Sequence, residues 1–358
     1  MSNSEIRVGE QELREFCIAV FRRLGVTEED AAVWADVLLE TSLRGVDSHG
    51  ILVLPMYAEM LVAGGINVQG RPEVIDDRGP TLLLDGNCGI GQVIAKRAMD
   101  LALERAQQFG LSLVTVRNSN HFGMAGYYAA QGLGHDMIGL ALTNAGPALA
   151  AWGGKSKVIG SNAMAIAVPA GTEFPIIFDS AIGAAAAARI FVAAEKGDRI
   201  PADWMLNREG EPTDDPRMLF EGGVLLPFGE HKGYGLGVIV DSLTGVLSGG
   251  LFGAGVGGFG RDMSQPLGIC HSFGALDISR FIPVDHFKNR MDEMIREIKR
   301  SQLRPGFSQI YVPGERGFLT RQERSAQGIP LWGKLARDLT DLAKRMNIAP
   351  PFGLISPN

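Results

Sequence analysis

Thr81-Leu82-Leu83-Leu84-Asp85-Gly86 is a short apolar run closed by a turn, and the segments that follow it decide the fold class. Residues 92–108 carry alanine, methionine and leucine at helical spacing, which predicts an amphipathic helix. Residues 111–116 then read as a second strand, ending directly before Asn118-Ser119-Asn120-His121-Phe122-Gly123. Residues 138–143 and 163–168 are further strand candidates, as are residues 175–178, which stop at Asp179. Strands alternating with helices predict an α/β protein.

The chain ends read as helical. Residues 11–24 place Leu13, Phe16, Cys17, Val20, Phe21 and Leu24 on one face. Thr27-Glu28-Glu29-Asp30 has the form of an N-cap with an acidic first turn, opening a second apolar-periodic run through Leu39. Arg44-Gly45-Val46-Asp47-Ser48-His49-Gly50 interrupts that pattern, which resumes over residues 51–61 and sets His49 at or near a helix start. Helices are also predicted over 232–247, 284–299 and 332–344.

A length of 358 residues favours two domains over one. The net charge of −6 argues against nucleic acid as a partner, because phosphate binding wants a basic face. Cys17, Cys88 and Cys270 are odd in number and have no zinc-type spacing, which suggests free thiols in a reducing compartment. Met1-Ser2-Asn3-Ser4-Glu5 lacks an apolar signal core, and no run reaches the roughly 18 apolar residues of a membrane span. The expectation is a soluble, cytoplasmic protein with a small-molecule substrate.

Three of the six histidines sit in polar, glycine-flanked settings: Asp47-Ser48-His49-Gly50, Asn118 through Gly123, and Gly229-Glu230-His231-Lys232-Gly233-Tyr234-Gly235. Imidazole titrates nearest working pH, and the glycines let backbone or ligand come close. His49 has no partner at metal-ligand spacing, so a metal role is disfavoured and no metal is expected. His121 follows a strand, the usual place for functional groups in α/β proteins. His231-Lys232 sets a switchable group beside a fixed positive charge. Taken singly, each is as readily a structural histidine; the three together indicate an active site assembled from distant segments.

Gly253-Ala254-Gly255-Val256-Gly257-Gly258 matches the dinucleotide fingerprint, with Asp277 following at about the expected ~20 residues. The context is wrong: no clear strand precedes it, and Phe259-Gly260-Arg261-Asp262 opens no helix. Residues 249–260 are so glycine-rich that a flexible or ligand-covering loop is expected. A better anion cradle is the apolar run 175–178, an Asp179-Ser180 turn, and a helix opening in Ala184 to Ala188. The alanines serve tight helix–sheet packing equally well.

From residue 12 to 331, the sequence resembles the type-2 malate/L-lactate dehydrogenase family, whose members include ureidoglycolate dehydrogenase, diketogulonate reductase, sulfolactate dehydrogenase and piperideine-2-carboxylate reductase. The resemblance rests on the segments 44–50, 117–126, 226–235 and Val312-Pro313-Gly314-Glu315-Arg316. It implies a non-Rossmann nicotinamide-binding fold with a mixed sheet, plus a helical domain built from the N- and C-terminal segments. The implied division is 1–117 with 316–358 on the substrate side and 118–315 binding the cofactor, NAD or NADP. It also implies a homodimer or larger assembly, and a hydride transfer to or from a small 2-hydroxy or 2-keto acid or a related imino acid. His49 matches a proton donor of some members and His121 an acid/base of others. Asn144, Asp179, Ser180, Ala181, His231, Lys232, Pro313, Gly314 and Glu315 match the cofactor side, and Ser48, Arg44 and Arg117 the substrate side.

Two departures stand out. Val53 occupies the place where the family usually has a carboxylate-binding arginine, so either the substrate is atypical or Arg44 or Arg117 anchors it. Ile182-Gly183 replaces the usual Thr-Ser after the Asp179 motif. Both features favour the alternative of a non-catalytic relative that binds a nucleotide or small acid as a sensor. The retained His49, His121, His231 and Lys232 favour an enzyme. A metal-dependent hydrolase is a distant third reading.

Overall fold

The helical periodicity of the two chain ends resolves into one shared core. The computed structural model describes residues 6–258 and 262–352. The helices Glu10–Arg23, Glu28–Leu43 and Leu54–Ala63 bury Leu13, Phe16, Val20, Phe21, Trp34, Leu38 and Tyr57 together with Leu335, Leu339 and Leu342 of the Gly333–Met346 helix. Strand Ile6–Val8 pairs antiparallel with Ile329–Leu331, which clasps the ends. Thr27 caps its helix as expected, accepting a hydrogen bond from the Asp30 amide. Phe21 stacks on Trp34 at 4.0 Å and Trp34 meets Tyr57 edge-on at 5.1 Å, so the helix carrying Tyr57 is held by aromatic packing.

The α/β expectation holds, with two larger mixed sheets. A seven-stranded sheet runs in the order Glu73–Asp77, Thr81–Asp85, Leu111–Ser119, Ile269–Asp277, Met137–Thr143, Ala163–Val168 and Ile176–Ala181. All pairs are antiparallel except Thr81–Asp85 with Leu111–Ser119. That one parallel pair is joined through the Gly91–Phe109 helix, whose Ile94, Ala95, Ala98, Met99 and Ala102 pack against the sheet. Residue 117 falls inside the Leu111–Ser119 strand. A four-stranded sheet joins Met205–Leu206, Val224–Leu225, Pro147–Ala150 and Lys157–Gly160. Among the described residues, no helix is long and apolar enough to cross a membrane.

Register lines up the ends that matter. Val116, His271, Thr143, Ala163 and Ala181 form one row across five adjacent strands. The chain leaves that edge of the sheet towards His121, Asn144 and Ile182.

One expected element is corrected. Asp179, Ser180 and Ala181 are not a turn: they continue the Ile176–Ala181 strand, paired with Ala165, Met164 and Ala163. The following helix is Ala187–Lys196, so Ile182 to Ala186 separate it from the strand and no Asp-Ser turn points a helix start at a ligand. Residues 253–255 form a single short turn with extended backbone at Phe252, while Phe259, Gly260 and Arg261 lie outside the described residues. The glycine-rich segment is tied down where it is described. Gly250 N–H bonds Gly245 O at 2.9 Å, Gly257 N–H bonds Leu267 O at 2.7 Å, and Gly253 N–H reaches the Asp241 carboxylate at 3.3 Å.

Candidate active site

Two of the three sequence-selected histidines meet. The rings of His49 and His121 lie 5.4 Å apart. His49 ends a one-turn helix over Asp47–His49, ahead of the Leu54–Ala63 helix. Its loop is held from two sides: Ile51 N–H donates to Ser42 Oγ at 2.9 Å, and Arg324 of the Glu315–Gln327 helix pairs with Asp47 and bonds the Ser42 carbonyl. A Cβ on Gly50 would sit 2.1 Å from Ser42 Oγ, so only glycine allows that close approach. Ser48 Oγ lies 2.8 Å from His49 Nδ1, which orients the ring.

His121 follows the Leu111–Ser119 strand by two residues. Its loop presses on the start of the Gly91–Phe109 helix, where a Cβ on Gly91 would be 2.4 Å from the carbonyls of Asn120 and His121. Asn120 pins the loop further, donating to the carbonyls of Cys88 and Gly89 and accepting from Leu267 N–H. Tyr57 Oη lies 2.5 Å from His121 Nδ1, and Gln92 Nε2 donates to Tyr57 Oη at 2.9 Å. Burial holds His121 well below its ordinary pKa, and the neighbouring imidazoles of His49 and His271 further oppose a proton on it. Burial lowers His49 as well. Both residues nevertheless keep partial solvent access.

Asp179 is bonded to the segment that follows His121. Its carboxylate accepts Gly126 N–H at 2.8 Å, which ties the strand to the His121 loop. The surrounding protein pushes its carboxyl up to about 6, against the pull of the Gly126 amide and the Arg44 charge, although the residue itself stays accessible. Arg44 donates to Glu40 at 2.7 Å and lies 4.6 Å over the Phe318 ring. Arg117 is placed differently. It donates to Asp85 at 3.0 Å, and its stem abuts Gly250.

The remaining candidates gather beyond the Ile176–Ala181 strand. Ile182 and Phe228 are joined by a backbone bond of 2.9 Å, and Ala184 N–H bonds Leu226 O at 2.8 Å. This brings the start of the His231–Asp241 helix, with His231 and Lys232, next to the end of the strand. Lys232 is exposed and has no acidic partner among the described residues. His231 lies 6.0 Å from the Trp152 ring. On the strand's free edge, Ile177 N–H bonds Pro313 O at 3.0 Å, which sets Pro313 and Gly314 alongside. Gly314 has φ 88°, and a Cβ there would lie 2.9 Å from Ile177 backbone atoms.

Two side chains are occupied within the protein. Glu315 pairs with Lys299 and accepts Val312 N–H. Asn144 donates to Asp241 and the Leu251 carbonyl and accepts Cys270 N–H.

Comparison with known proteins places the chain. The sequence profile described as "Malate/L-lactate dehydrogenase" matches residues 8–340. The chain belongs to the malate/L-lactate dehydrogenase family. It is therefore an oxidoreductase. It is 41% identical over 350 residues to a malate dehydrogenase of Pyrococcus abyssi, with 96% of each chain covered. It is 36% identical over 341 residues to a malate/(S)-sulfolactate dehydrogenase of Methanothermus fervidus, covering 95% of this chain and 98% of that one. The solved malate dehydrogenase of Pyrococcus horikoshii superposes with a TM-score of 0.89 at 37% identity, covering 98% and 99% of the two chains.

Several residues around the site were not legible in the sequence. Tyr57 and Gln92 reach His121 from positions far along the chain, on the hidden faces of two helices. His271 sits in an apolar strand context. It bridges Thr143 Oγ1 and Ser119 Oγ, each at 2.9 Å, and stacks on Phe122 at 4.6 Å. Burial pushes its ring down to about 3, so it stays neutral as a structural tie.

Proposed function

We propose that this chain interconverts a small 2-hydroxy acid and its 2-keto acid, or a related imino acid, at the site formed by His49, His121 and Asp179. The observation that carries this reading is the convergence of His49 and His121, two rings with lowered pKa, within 5.4 Å. Such rings are neutral near pH 7, and a neutral imidazole accepts the proton released when a hydroxyl is oxidised. In the reverse direction the protonated ring returns it to the carbonyl oxygen. A nicotinamide, when bound, supplies or accepts the hydride.

NAD or NADP fits the groups present. The exposed ammonium of Lys232 at a helix start suits a pyrophosphate, and Ser180, Ala181 and the Pro313-Gly314 backbone border the same strand. Asp179, Ser180, Ala181, His231, Lys232, Pro313 and Gly314 hold the cofactor. Asn144 and Glu315 act by shaping the strand ends, since their side chains are already paired. The cofactor lies on the 118–315 side, and the helical core of the chain ends supplies His49.

Val53 packs against the helical core and offers no charge. Arg44 and Arg117 are each paired with a carboxylate, Glu40 and Asp85, and Arg44 is the better anchor because its charge acts on Asp179. Ser48 orients His49 beside it.

The chain works as a homodimer. Leu236, Ile239, Leu243, Val246 and Leu247 recur at helical spacing along the His231–Asp241 helix and its continuation, all exposed. An apolar stripe of this kind calls for a covering surface, and a second copy presents the same one.

Titration of the purified protein with NADH and NADPH, followed by fluorescence, tests the assignment. Micromolar binding of one of them is expected. Binding of neither by the folded protein would overturn the cofactor site and favour a small-acid sensor.

A further inference from the structure

We propose that Arg324 is a positioning residue for His49: its guanidinium fixes the loop that carries the ring, and with it the approach of the ring to the substrate. This rests on the reading of His49 as a ring that exchanges the substrate's proton.

His49 has little structure of its own to stand on. It closes the one-turn helix Asp47–His49, where His49 N–H bonds Val46 O at 3.0 Å and Gly50 N–H bonds Asp47 O at 3.2 Å. A single turn is not stable by itself, because fixing the first turn is the costly step of helix formation. Its place comes from contacts across the fold. Ser42, in the last turn of the Glu28–Leu43 helix, accepts Ile51 N–H on its Oγ at 2.9 Å. Arg324 of the Glu315–Gln327 helix supplies the rest. Its Nη1 and Nη2 donate one to each carboxylate oxygen of Asp47, and Nη1 also donates to the Ser42 carbonyl.

This fork does more than join two helices. An aspartate at the start of a helical turn is well suited to capping that turn's own amides. Here no side chain caps the turn, and both Asp47 oxygens face the guanidinium. The Arg324 side chain is only 13% exposed, so salt screens the pair little. Two parallel N–H···O bonds from a planar group fix direction as well as distance.

Helix docking is already provided for by its neighbours. Phe318 lies beneath Arg44 at 4.6 Å, Thr320 faces Gly45, and Arg321 donates to Glu40 at 2.9 Å. These contacts act on residues 40–45. Arg324 reaches on to Asp47, two residues before His49. The same helix begins at the other side of the site, where Ile177 N–H bonds Pro313 O beside the strand that carries Asp179. One rigid element therefore runs from the Asp179 strand to the His49 loop and sets one against the other. Proton transfer needs donor and acceptor within about 2.6–3.2 Å, and a misplacement of about 1 Å costs about 10²-fold in rate.

Arg324→Met keeps a long side chain and removes the fork. Assayed well below its melting temperature, it is expected to lower kcat about 10- to 100-fold while KM and nucleotide affinity stay within about 2-fold. Arg324→Lys, which can meet Asp47 but not both of its oxygens, is expected to recover part of the loss. Asp47→Asn is expected to lower kcat less. Added to Arg324→Met it is expected to lower kcat no further, because both changes break the same contact. NMR of the His49 ring, assigned with His49→Ala, needs no turnover. One set of ring signals is expected in the wild type and a broadened or doubled set in Arg324→Met. Wild-type kcat in folded Arg324→Met, or independent losses that multiply with Asp47→Asn, overturns the proposal. A disturbed His49 ring in a protein that turns over no hydroxy, keto or imino acid leaves Arg324 as the support of that ring and sinks the dehydrogenase reading. An undisturbed ring in Arg324→Met of an active enzyme sinks the role of Arg324 alone.

Discussion

The rings of His49 and His121 lie 5.4 Å apart and tilted by 30°, one contributed by the loop between two N-terminal helices and the other by the end of a sheet strand. Two imidazoles at that distance in partly buried surroundings resist charging together, since a proton on one raises the cost of a proton on the other. The pair therefore holds at most one positive charge near neutral pH. That is the state a reaction needs when one proton moves per turnover.

Removal of either ring should be severe. His49→Ala and His121→Ala are each expected to lower kcat about 10²–10⁴-fold, the usual size of general acid–base catalysis. Steady-state rates with the preferred substrate check this, and wild-type rates in both variants would remove the histidines from the chemistry.

The direction of the histidine shifts sets a pH dependence. Both folded pKa values lie below the ordinary 6.5, so both rings remain neutral bases at pH values where a free imidazole is already protonated. Alcohol oxidation should thus keep its kcat as pH falls below 6.5 and decline only further into acid. Rate profiles in the oxidative direction test this; a half-maximal point at or above 6.5 would contradict the geometry.

His271 makes a separate prediction for stability. Its folded pKa is about 3, against about 6.5 in an unfolded chain. Between those values the unfolded state binds a proton that the folded state refuses, so stability falls with decreasing pH by up to ~1.4 kcal/mol per unit. The loss begins below 6.5 and ends near 3. His271→Gln removes this dependence, and urea unfolding at pH 7 and pH 5 should show a shallower decline than in the wild type. Identical slopes would mean that His271 titrates normally.

The exposed stripe should govern assembly. Ile239 and Val246 are 55% and 56% exposed, an arrangement that water disfavours. Ile239→Glu and Val246→Glu are expected to convert a dimer into monomers on light-scattering chromatography, with helical content retained. A wild-type monomer would contradict the assignment of that face.

Much of this was legible in the sequence, and the failures have physical causes. Helix periodicity located the helices spanning Glu10–Arg23, Glu28–Leu43 and Gly91–Phe109, because a buried stripe writes itself into the spacing. Asp179 and Ser180 looked like a turn because polar residues after an apolar run usually are one; pairing with Ala165 and Met164 overrode that local preference. The edge strand Glu73–Asp77 is exposed along its length and sets adjacent Val74 and Ile75 among three acidic residues, so no apolar alternation marks it. His49 and His121 were visible as chemistry but not as neighbours. Tyr57, Gln92 and Arg324 were invisible, since their importance lies wholly in contacts made across the fold.

The most direct test of the account follows a labelled hydride. The protein is incubated with NADH or NADPH deuterated at C4 on the transferred face and a panel of 2-keto acids, including oxaloacetate and pyruvate, and the products are read by mass spectrometry. The account predicts a 2-hydroxy acid carrying one deuterium at C2 from wild-type protein, and little product from His121→Ala. No deuterated product with any keto or imino acid, from folded protein and either nucleotide, would contradict it.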